Sequence, residues 1–412
     1  MTISNRAQNA LRDPSPLVVA HFESAKDAYH PDNNPTGAIN LGTAENYLMG
    51  QEMLAWLKEV KPLTEHALHY ADFRGIAPLR EVLATFLREV TGIPDAKAEH
   101  IVIGNGVSSL LESLAFSLFD PGDGLIVPAP CYTGYQEDFK HRFGVNIIPA
   151  LMPCENQFDL DVDVLQQTYA QAVQQGERVK AILINNPNNP LGKHYTRAQL
   201  EAVVEFAMAH RLQIIADEIY AHSIFDSCHG PFESLLTIGA HYQENIHVLY
   251  GLAKDFGLSG FKFAFYYSEN EDAVKAMASN AYFYNVSTLL QHTVETLFSD
   301  ISRIRVFLGT YNKKLTQAHK DVLQINEQTI AAPVLSAQGG HFVFINLVKY
   351  LSASTFEAEM QLFHRIWSEA KVNITPGQFF HCPYPGWFRV CFAAPREQVE
   401  QSFIRLNRLM LS

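Results

Sequence analysis

Short apolar runs alternate with amphipathic segments between residues 98 and 216. Strand-like apolar runs occupy residues 100–103, 125–128, 145–149, 179–184 and 212–216. Helical patterns at 108–119 and 198–211 lie among them, and Thr196 is placed to cap the second of these helices. Apolar runs of this length, separated by helices, predict a mostly parallel sheet covered on both faces. The predicted fold class is therefore α/β.

The last hundred residues show fewer and shorter strand patterns. A long helix is predicted at 301–325, where Val306 is one of the apolar positions, and a second helix at 355–370. Strands are predicted at 339–347, led by two glycines, and at 388–392. This pattern favours a smaller second domain.

The composition limits the expected partners. The 412-residue chain has a net charge of −12 and no long run of one sign, so neither nucleic acid nor an anionic membrane is expected to bind it. The N-terminus lacks an apolar signal region, and no apolar run approaches ~20 residues. Five cysteines without CxxC spacing argue against a disulfide framework or a metal site and favour a cytoplasmic location. They are Cys131, Cys154, Cys228, Cys382 and Cys391.

Loops beyond the carboxyl ends of the strands are where parallel sheets bind ligands. Loop 104–109 precedes a helix, so its backbone N–H groups and serine hydroxyls can cradle a phosphate; the alternative is a serine that only caps the helix. Tyr132, in the next loop, can lie flat on a planar ring or simply pack in the core. Loop 185–192 is rich in asparagine and proline, which makes it a rigid turn that can present an amide to a ligand.

A carboxylate and a lysine complete this series of loops. Asp217 follows a continuous apolar strand, where a buried acid needs a partner such as a pyridinium N–H; the alternative is a helix cap or a surface pair. Lys254 lies in a segment with three glycines, so it is either a Schiff-base nucleophile or a solvated surface lysine. Phosphate cradle, aromatic ring, amide, acid and lysine together match the needs of pyridoxal 5'-phosphate (PLP).

Six motifs resemble those of one enzyme family. They are GTAEN (42–46), DPGD (120–123), PCYTGY (130–135), NPNNPLG (186–192), KDFGLSG (254–260) and PGWFRVCFA (385–393). The chain resembles the fold-type I, PLP-dependent aminotransferases of class I/II over nearly its full length, and within them it is most similar to 1-aminocyclopropane-1-carboxylate (ACC) synthase.

The resemblance implies an architecture and an assembly. Residues 1–50 would form an N-terminal arm and part of the small domain, 51–300 the large PLP-binding domain with its mostly parallel central sheet covered by helices, and 301–412 the small C-terminal domain. Both chain ends would thus contribute to a small α+β domain. The family resemblance also implies a homodimer with active sites shared between subunits.

The resemblance also implies roles for individual residues. Lys254 would carry the cofactor and then act as the base at Cα, and Asp217 would pair with the pyridine nitrogen. The other cofactor-binding residues would be Tyr220 and Asn189 at the phenolic oxygen, Tyr132 on the ring, and Val107, Ser108 and Lys262 at the phosphate. Arg389 would bind the substrate carboxylate, with Glu45 and Tyr132 near the rest of the substrate. Lys254, Asp217 and Tyr220 are the expected catalytic residues.

Four positions depart from the family pattern. Lys262 replaces a phosphate-binding arginine, Gly251 a serine, and Phe73 a tyrosine that the partner subunit usually donates. Each lost hydrogen bond to a charged group would cost ~1–3 kcal/mol of cofactor binding unless another contact replaces it. Tyr384 stands where the family has a glutamate.

The expected function is that of an enzyme that forms an external aldimine with an α-amino acid and removes its Cα proton through Lys254. Two outcomes remain open after this step. One is the ACC synthase-like elimination of a side-chain group, with S-adenosylmethionine or a related amino acid as substrate; the other is amino transfer to a 2-oxo acid. The losses at Gly251, Lys262 and Phe73 leave a third alternative, a non-catalytic or altered-cofactor paralogue.

Overall fold

The computed structural model describes residues 3–4, 7–8, 11, 15–60, 65–225 and 230–411. Cys228, one of the five cysteines considered above, lies outside this part of the chain. No helix within the described ranges is long and apolar enough to cross a membrane.

Strands and helices alternate through most of the chain. The described strands are β1 (Ile39–Asn40), β2 (Ile101–Gly104), β3 (Asp123–Ala129), β4 (Asn146–Leu151), β5 (Arg178–Asn185), β6 (Gln213–Asp217), β7 (Ile246–Gly251), β8 (Ala264–Tyr267), β9 (Phe342–Asn346), β10 (Val372–Asn373), β11 (Thr375–Pro376) and β12 (Trp387–Cys391). The longer helices are α1 (Pro16–Lys26), α2 (Gly50–Leu57), α3 (Ala77–Phe86), α4 (Val107–Leu118), α5 (Val162–Gln174), α6 (Arg197–His210), α7 (Glu271–Asn280), α8 (Thr288–Phe298), α9 (Ile301–Gln328), α10 (Phe356–Arg365) and α11 (Arg396–Leu411).

The largest sheet has seven strands in the order β2-β8-β7-β6-β5-β3-β4. Its four pairs from β7 to β4 are parallel, whereas β8 runs antiparallel to both of its neighbours. Strands β2, β3, β7 and β8 are buried along their whole length, which is why they read as continuous apolar runs in the sequence. The predicted α/β class with a mostly parallel central sheet is confirmed.

The helix α6 shows how local sequence fixes an element boundary. The Thr196 side chain accepts a hydrogen bond from the Gln199 backbone, and the Gln199 side chain accepts one from the Thr196 backbone. This reciprocal capping box satisfies N–H groups that have no partner inside the helix. One detail of the long helix α9 differs from expectation, since Val306 is exposed and contributes nothing to the core.

A three-stranded antiparallel sheet, β11-β12-β9, lies near the C-terminus and places Arg389 on its central strand. A separate parallel pair joins β1 to β10, with Ile39 opposite Val372. The segment that follows β1 is thereby held against the C-terminal part of the chain. The domain boundaries near residues 50 and 300 remain predictions.

Strand register brings the expected site loops to one edge of the large sheet. Asn185, the last residue of β5, pairs with Asp217, the last residue of β6. Asp217 in turn lies opposite Leu249 of β7, whose final residues lead into the Lys254 loop. Residues far apart in sequence therefore meet beyond the carboxyl ends of adjacent strands.

Candidate active site

A cavity of about 510 Å³ lies at this edge of the sheet. All ten candidates from the sequence line it, namely Glu45, Val107, Ser108, Tyr132, Asn189, Asp217, Tyr220, Lys254, Lys262 and Arg389. The residues that depart from the family pattern divide into two groups: Gly251 and Lys262 line the cavity, whereas Phe73 and Tyr384 are not among its lining residues.

Lys254 is half-buried in the loop after β7 and directs its amine into the cavity. Its Nζ donates a hydrogen bond to the carbonyl oxygen of Ala44 and lies 5.9 Å from the centre of the Tyr220 ring. The Asn46 side chain fixes the loop by donating to the Lys254 carbonyl oxygen at 2.8 Å. Burial disfavours the charged ammonium and lowers the pKa of Lys254 to about 8. Lys254 is therefore not a solvated surface lysine, the alternative left open by the sequence.

Asp217 is buried at the end of β6 and is held by a residue that the sequence did not reveal. The Tyr135 hydroxyl donates to Asp217 Oδ2 at 2.6 Å, and the Ile219 N–H donates to Oδ1 at 3.3 Å. Burial raises the pKa of Asp217, and the hydrogen bond from Tyr135 opposes the rise. Tyr135 comes three residues after Tyr132, but only the packing of their loop against β6 shows which of the two reaches the acid.

Glu218, the neighbouring acid, has a purely structural set of partners. Its Oε1 accepts hydrogen bonds from the Ser234 hydroxyl at 3.0 Å and from the Leu235 N–H at 2.8 Å, where a short helix begins. Burial raises the pKa of Glu218 to about 8. The helix-capping alternative considered for Asp217 thus describes its neighbour Glu218, while Asp217 itself lines the cavity.

Tyr220 and Asn189 both line the cavity and are both buried. The Tyr220 hydroxyl has no hydrogen-bond partner among the described residues. A buried hydroxyl without a partner is costly, so this position favours a ligand oxygen that could pair with it. Asn189 uses its backbone N–H on Asn185 Oδ1 and its side-chain oxygen on Arg389, which leaves its amide NH₂ group for a ligand.

Arg389 is only 1% exposed and is oriented from several directions. It donates to Asn189 Oδ1 at 2.8 Å and to the Gly42 carbonyl oxygen. Its guanidinium lies 4.8 Å from the centre of the Phe380 ring and 5.5 Å from that of Phe342. The Nε atom has no partner within the described part of the chain, so at least one N–H is available to a carboxylate.

Glu45 also lines the cavity. Its carboxylate accepts hydrogen bonds from the Tyr47 hydroxyl at 2.6 Å and from the Ser259 hydroxyl at 2.7 Å. Burial acts to raise the pKa of Glu45, but these two bonds outweigh it and the pKa lies below its ordinary value. Three apolar residues of α1 that no sequence motif marked, Leu17, Val18 and Phe22, also line the cavity.

The opposite end of the cavity has the features of a phosphate site. Gly106 adopts a left-handed backbone (φ +88°) just before α4, which directs the helix N-terminus at the cavity. Lys262 is exposed, and its Nζ would lie 3.6 Å from a Cβ placed on Gly106. Ser108 is also exposed at this helix start. The Lys262 amine, the N-terminus of α4 and the Ser108 hydroxyl therefore lie together at this end of the cavity.

Two further residues lie at this end of the cavity: Asp138, which no sequence motif marked, and Gly251, which replaces the serine of the family pattern. Asp138 is buried with Oδ2 unpartnered among the described residues, and burial raises its pKa well above the ordinary value. Gly251 leaves little room for a larger residue, because a Cβ there would lie 3.2 Å from both Val107 Cγ2 and Ala264 Cβ. Val107 thus occupies the space toward which a side chain at position 251 would point.

Phe73 and Tyr384 have partners away from the cavity. Phe73 packs edge-to-face against Tyr70 and Tyr282, with ring centres 6.5 Å and 5.3 Å away. The Tyr384 hydroxyl donates to Glu155 at 3.1 Å. In a single subunit, Phe73 and Tyr384 therefore supply no contact to the cavity in place of the tyrosine and the glutamate of the family pattern.

The donor set fits the cofactor expected from the sequence. A half-buried amine, a buried acid, an unpartnered phenol and a helix N-terminus with a nearby cation all face one cavity. These are the groups that an aldehyde, a pyridine nitrogen, a phenolic oxygen and a phosphate require. Lys254, Asp217, Tyr220 and Lys262 would hold them in that order.

Comparison with known proteins supports the same cofactor. The aminotransferase class I and II family model matches residues 36–405. 1-Aminocyclopropane-1-carboxylate synthase 2 of Cucurbita pepo is 34% identical over 410 residues, which cover 95% of this chain and 82% of that protein. A Mus musculus protein named probable inactive 1-aminocyclopropane-1-carboxylate synthase-like protein 2 is 36% identical over 378 residues, covering 89% of this chain and 65% of that protein.

The fold is also that of solved aminotransferases. Thermus thermophilus aspartate aminotransferase with maleate superposes with a TM-score of 0.82 over 99% of this chain and 100% of that one, at 22% identity. The family match covers most of the chain, and the curated relatives share about a third of their residues with it. The chain therefore belongs to the class I and II aminotransferase family of pyridoxal-phosphate-dependent enzymes.

Proposed function

We propose that this enzyme removes the Cα proton of an α-amino acid through Lys254 and then eliminates a group from the side chain, as an ACC synthase-like lyase. The observation that carries the proposal is the convergence of the Lys254 amine, the Asp217 carboxylate and the Arg389 guanidinium on one cavity. Bound PLP would supply the electron-withdrawing ring that stabilises the electron pair left at Cα.

Lys254 is suited to be the base. With a pKa of about 8, roughly half of its amine is neutral at pH 8, whereas an ordinary lysine with a pKa near 10.4 is almost fully charged there. A base acts best when its pKa lies near the working pH. The Ala44 carbonyl oxygen offers the amine a hydrogen bond, and so a defined position, whenever the amine is not bonded to the cofactor.

Asp217 and Arg389 orient the two reactants. Asp217, buried beside Tyr135, would keep a proton on the ring nitrogen of the cofactor. Arg389 would bind the substrate carboxylate through paired N–H groups, a geometry that lysine cannot offer. Because both side chains are buried and held by the fold, little reorganisation would be needed at the moment of reaction.

The cavity wall supports elimination from a positively charged side chain. Glu45, with its pKa below the ordinary value, presents a carboxylate near the position expected for the substrate side chain. The apolar residues of α1 lie beside it. A sulfonium group such as that of S-adenosylmethionine combines the positive charge and apolar surface that this wall would complement.

The test is incubation of the PLP-loaded enzyme with S-adenosylmethionine, and separately with single amino acids plus 2-oxoglutarate. Release of methylthioadenosine without a keto acid supports the lyase. Formation of glutamate from 2-oxoglutarate would instead assign the enzyme as an aminotransferase, the alternative outcome of the same first step. Absence of both products, together with no absorbance near about 420 nm after PLP addition, would favour the non-catalytic paralogue.

We also propose that the enzyme works as a homodimer. Tyr70, Tyr282 and Phe283 are 98%, 63% and 80% exposed and form, with Phe73, a contiguous aromatic surface. A surface of this kind is typical of a protein interface, and family resemblance makes a second copy the expected partner. Sedimentation should give a dimer that Tyr282→Asp weakens; a wild-type monomer at micromolar concentration would refute the proposal.

A further inference from the structure

A connected group of buried polar side chains lies behind Lys254 and outside the cavity. The Ser223 hydroxyl donates to Asp255 Oδ1 at 2.5 Å and lies 2.6 Å from the Tyr311 hydroxyl. The Tyr311 hydroxyl lies 2.6 Å from Nε2 of His341, which is also 3.2 Å from Ser223 Oγ. These four residues, here called the buried network, are all fully buried, and none lines the cavity.

Such a network is costly to build unless it is satisfied. Burying polar groups without partners loses several kcal/mol, on the order of 2–7 each. Asp255 avoids this by accepting two more hydrogen bonds, from the Tyr250 hydroxyl at 2.8 Å and from the His222 N–H at 3.0 Å. Apolar side chains could fill the same space without this cost. What the hydrogen bonds add is direction, because they hold the groups they join in one arrangement.

The network fixes the loop of Lys254 against the turn of Tyr220. Asp255 is the residue after Lys254, and its carboxylate binds both His222 and Ser223. The Ser223 N–H also donates to the Tyr220 carbonyl oxygen at 2.8 Å. The Asp255 carboxylate therefore fixes the backbone next to Lys254 at a set distance from the turn that carries Tyr220.

His341 supports Tyr220 from behind. The two rings are perpendicular with centres 5.2 Å apart, and the Lys254 Nζ lies 5.9 Å from the centre of the same tyrosine ring. His341 Nδ1 has no partner in the described ranges, so the ring is anchored through Nε2 alone, by Tyr311 and Ser223. Losing the Tyr311 hydroxyl would remove the shorter of these two contacts.

We infer that the buried network positions the Lys254 amine and the Tyr220 hydroxyl relative to each other, with Tyr311 and His341 as positioning residues. The inference rests on the proposed function, because it concerns the groups that would act at Cα and at the cofactor. A displacement of about 1 Å at reacting groups can cost roughly 10²-fold in rate. The network acts without touching substrate or cofactor.

Tyr311→Phe tests the inference with the loss of a single oxygen atom. We expect kcat on the substrate that the turnover assay proposed above identifies to fall about tenfold with KM changed less than about twofold, since only the reacting groups are displaced. We also expect the pH midpoint of the visible absorbance of the PLP-loaded enzyme to shift by about half a unit or more, since the environment of Lys254 changes.

A pair of substitutions at His341 provides a second test should Tyr311→Phe fold poorly. His341→Gln keeps a hydrogen-bonding group at a similar reach, whereas His341→Met keeps the volume and loses that group. The glutamine variant should retain the wild-type pH midpoint and most of kcat, and the methionine variant should not. Equal behaviour of the two would refute the inference.

Tyr242→Phe is the matched control. Its hydroxyl donates to the Leu212 carbonyl oxygen at 2.8 Å, away from the cavity lining, so its loss should leave kcat and the pH midpoint unchanged. Wild-type values in Tyr311→Phe would overturn the positioning role. The proposed function fails separately, if borohydride does not fix PLP to Lys254 in the wild-type enzyme.

Discussion

The lysine end and the phosphate end of the cavity differ in how far their functional groups are buried and hydrogen-bonded by the protein. At the lysine end, defined by Lys254, Asp217 and Tyr220, the amine and the acid each have a designated protein partner. At the phosphate end, defined by residues 106–108, Gly251 and Lys262, the cation and the serine are exposed, and position 251 has no side chain. One end is held by buried hydrogen bonds, whereas the other places its cation and its hydroxyl where ligand and solvent reach them.

The difference separates two properties that are often treated as one. Buried, hydrogen-bonded groups are oriented before reaction and favour turnover, whereas exposed charges contribute little to binding because water and salt screen them. We therefore expect substitutions at the lysine end to act on rate, and substitutions at the phosphate end to act on cofactor affinity. The following predictions, in order of decreasing effect, test this separation.

Lys254→Ala should lower turnover by about 10³-fold or more, because it removes the proposed base and the covalent attachment point. Steady-state kinetics at saturating PLP would measure this loss, with circular dichroism to verify the fold. Lys275→Ala, on a side chain exposed on α7, is the control and should behave as wild type. Turnover within tenfold of wild type in Lys254→Ala would overturn the assignment of the base.

Arg389→Lys should lower kcat/KM by about 10- to 100-fold, mainly through KM. The shorter point charge cannot form the paired contact with a carboxylate and leaves either Asn189 or the Gly42 carbonyl oxygen without its donor. Initial rates over a range of substrate concentrations would separate the two constants. An unchanged KM would place the substrate carboxylate elsewhere.

Lys262→Ala should raise the Kd for PLP by about tenfold and leave kcat at saturating PLP within about twofold. The effect is modest because the side chain is exposed, so solvent already screens its charge. Fluorescence titration of the cofactor-free protein gives the Kd. A large fall in kcat at saturating PLP would show that the two ends are not separable.

Gly251→Ser should change the Kd for PLP by less than about threefold, the smallest effect in this series. A hydroxyl could add a phosphate contact, but its Cβ would press on Val107 and Ala264 at 3.2 Å. Combining it with Val107→Ala opens that space, and the double variant should bind PLP more tightly than either single variant. If the double variant binds no better than Gly251→Ser, steric crowding is not the reason for the glycine.

Local signals predicted the scaffold well because each depends on a few neighbouring residues. The buried strands and the cap at Thr196 are of this kind. The candidate residues could be placed in one cavity from sequence because the carboxyl ends of parallel strands meet at one edge. The antiparallel direction of β8 gave no comparable signal, since this strand is buried along its whole length like β2 and β7 on either side of it.

The supporting contacts could not be predicted because they join residues distant in sequence. Tyr135 lies 82 positions from Asp217, and Ser223 lies 118 positions from His341. His341 directly follows two glycines at the start of a strand pattern and looks like an ordinary strand residue in the sequence. Only the packing of β9 and α9 behind the lysine loop shows that its ring supports the site.

The short pairing of β1 with β10 has a consequence for synthesis of the chain. The segment after β1 supplies the carbonyl of Gly42 to Arg389 and the carbonyl of Ala44 to Lys254. The pairing needs residues 372–373, and Arg389 lies later still, so the ribosome must make most of the polypeptide before these contacts can form. The large sheet can fold during translation, but the active site is completed only near the end, and a truncated product would have a cofactor cradle without a finished substrate site.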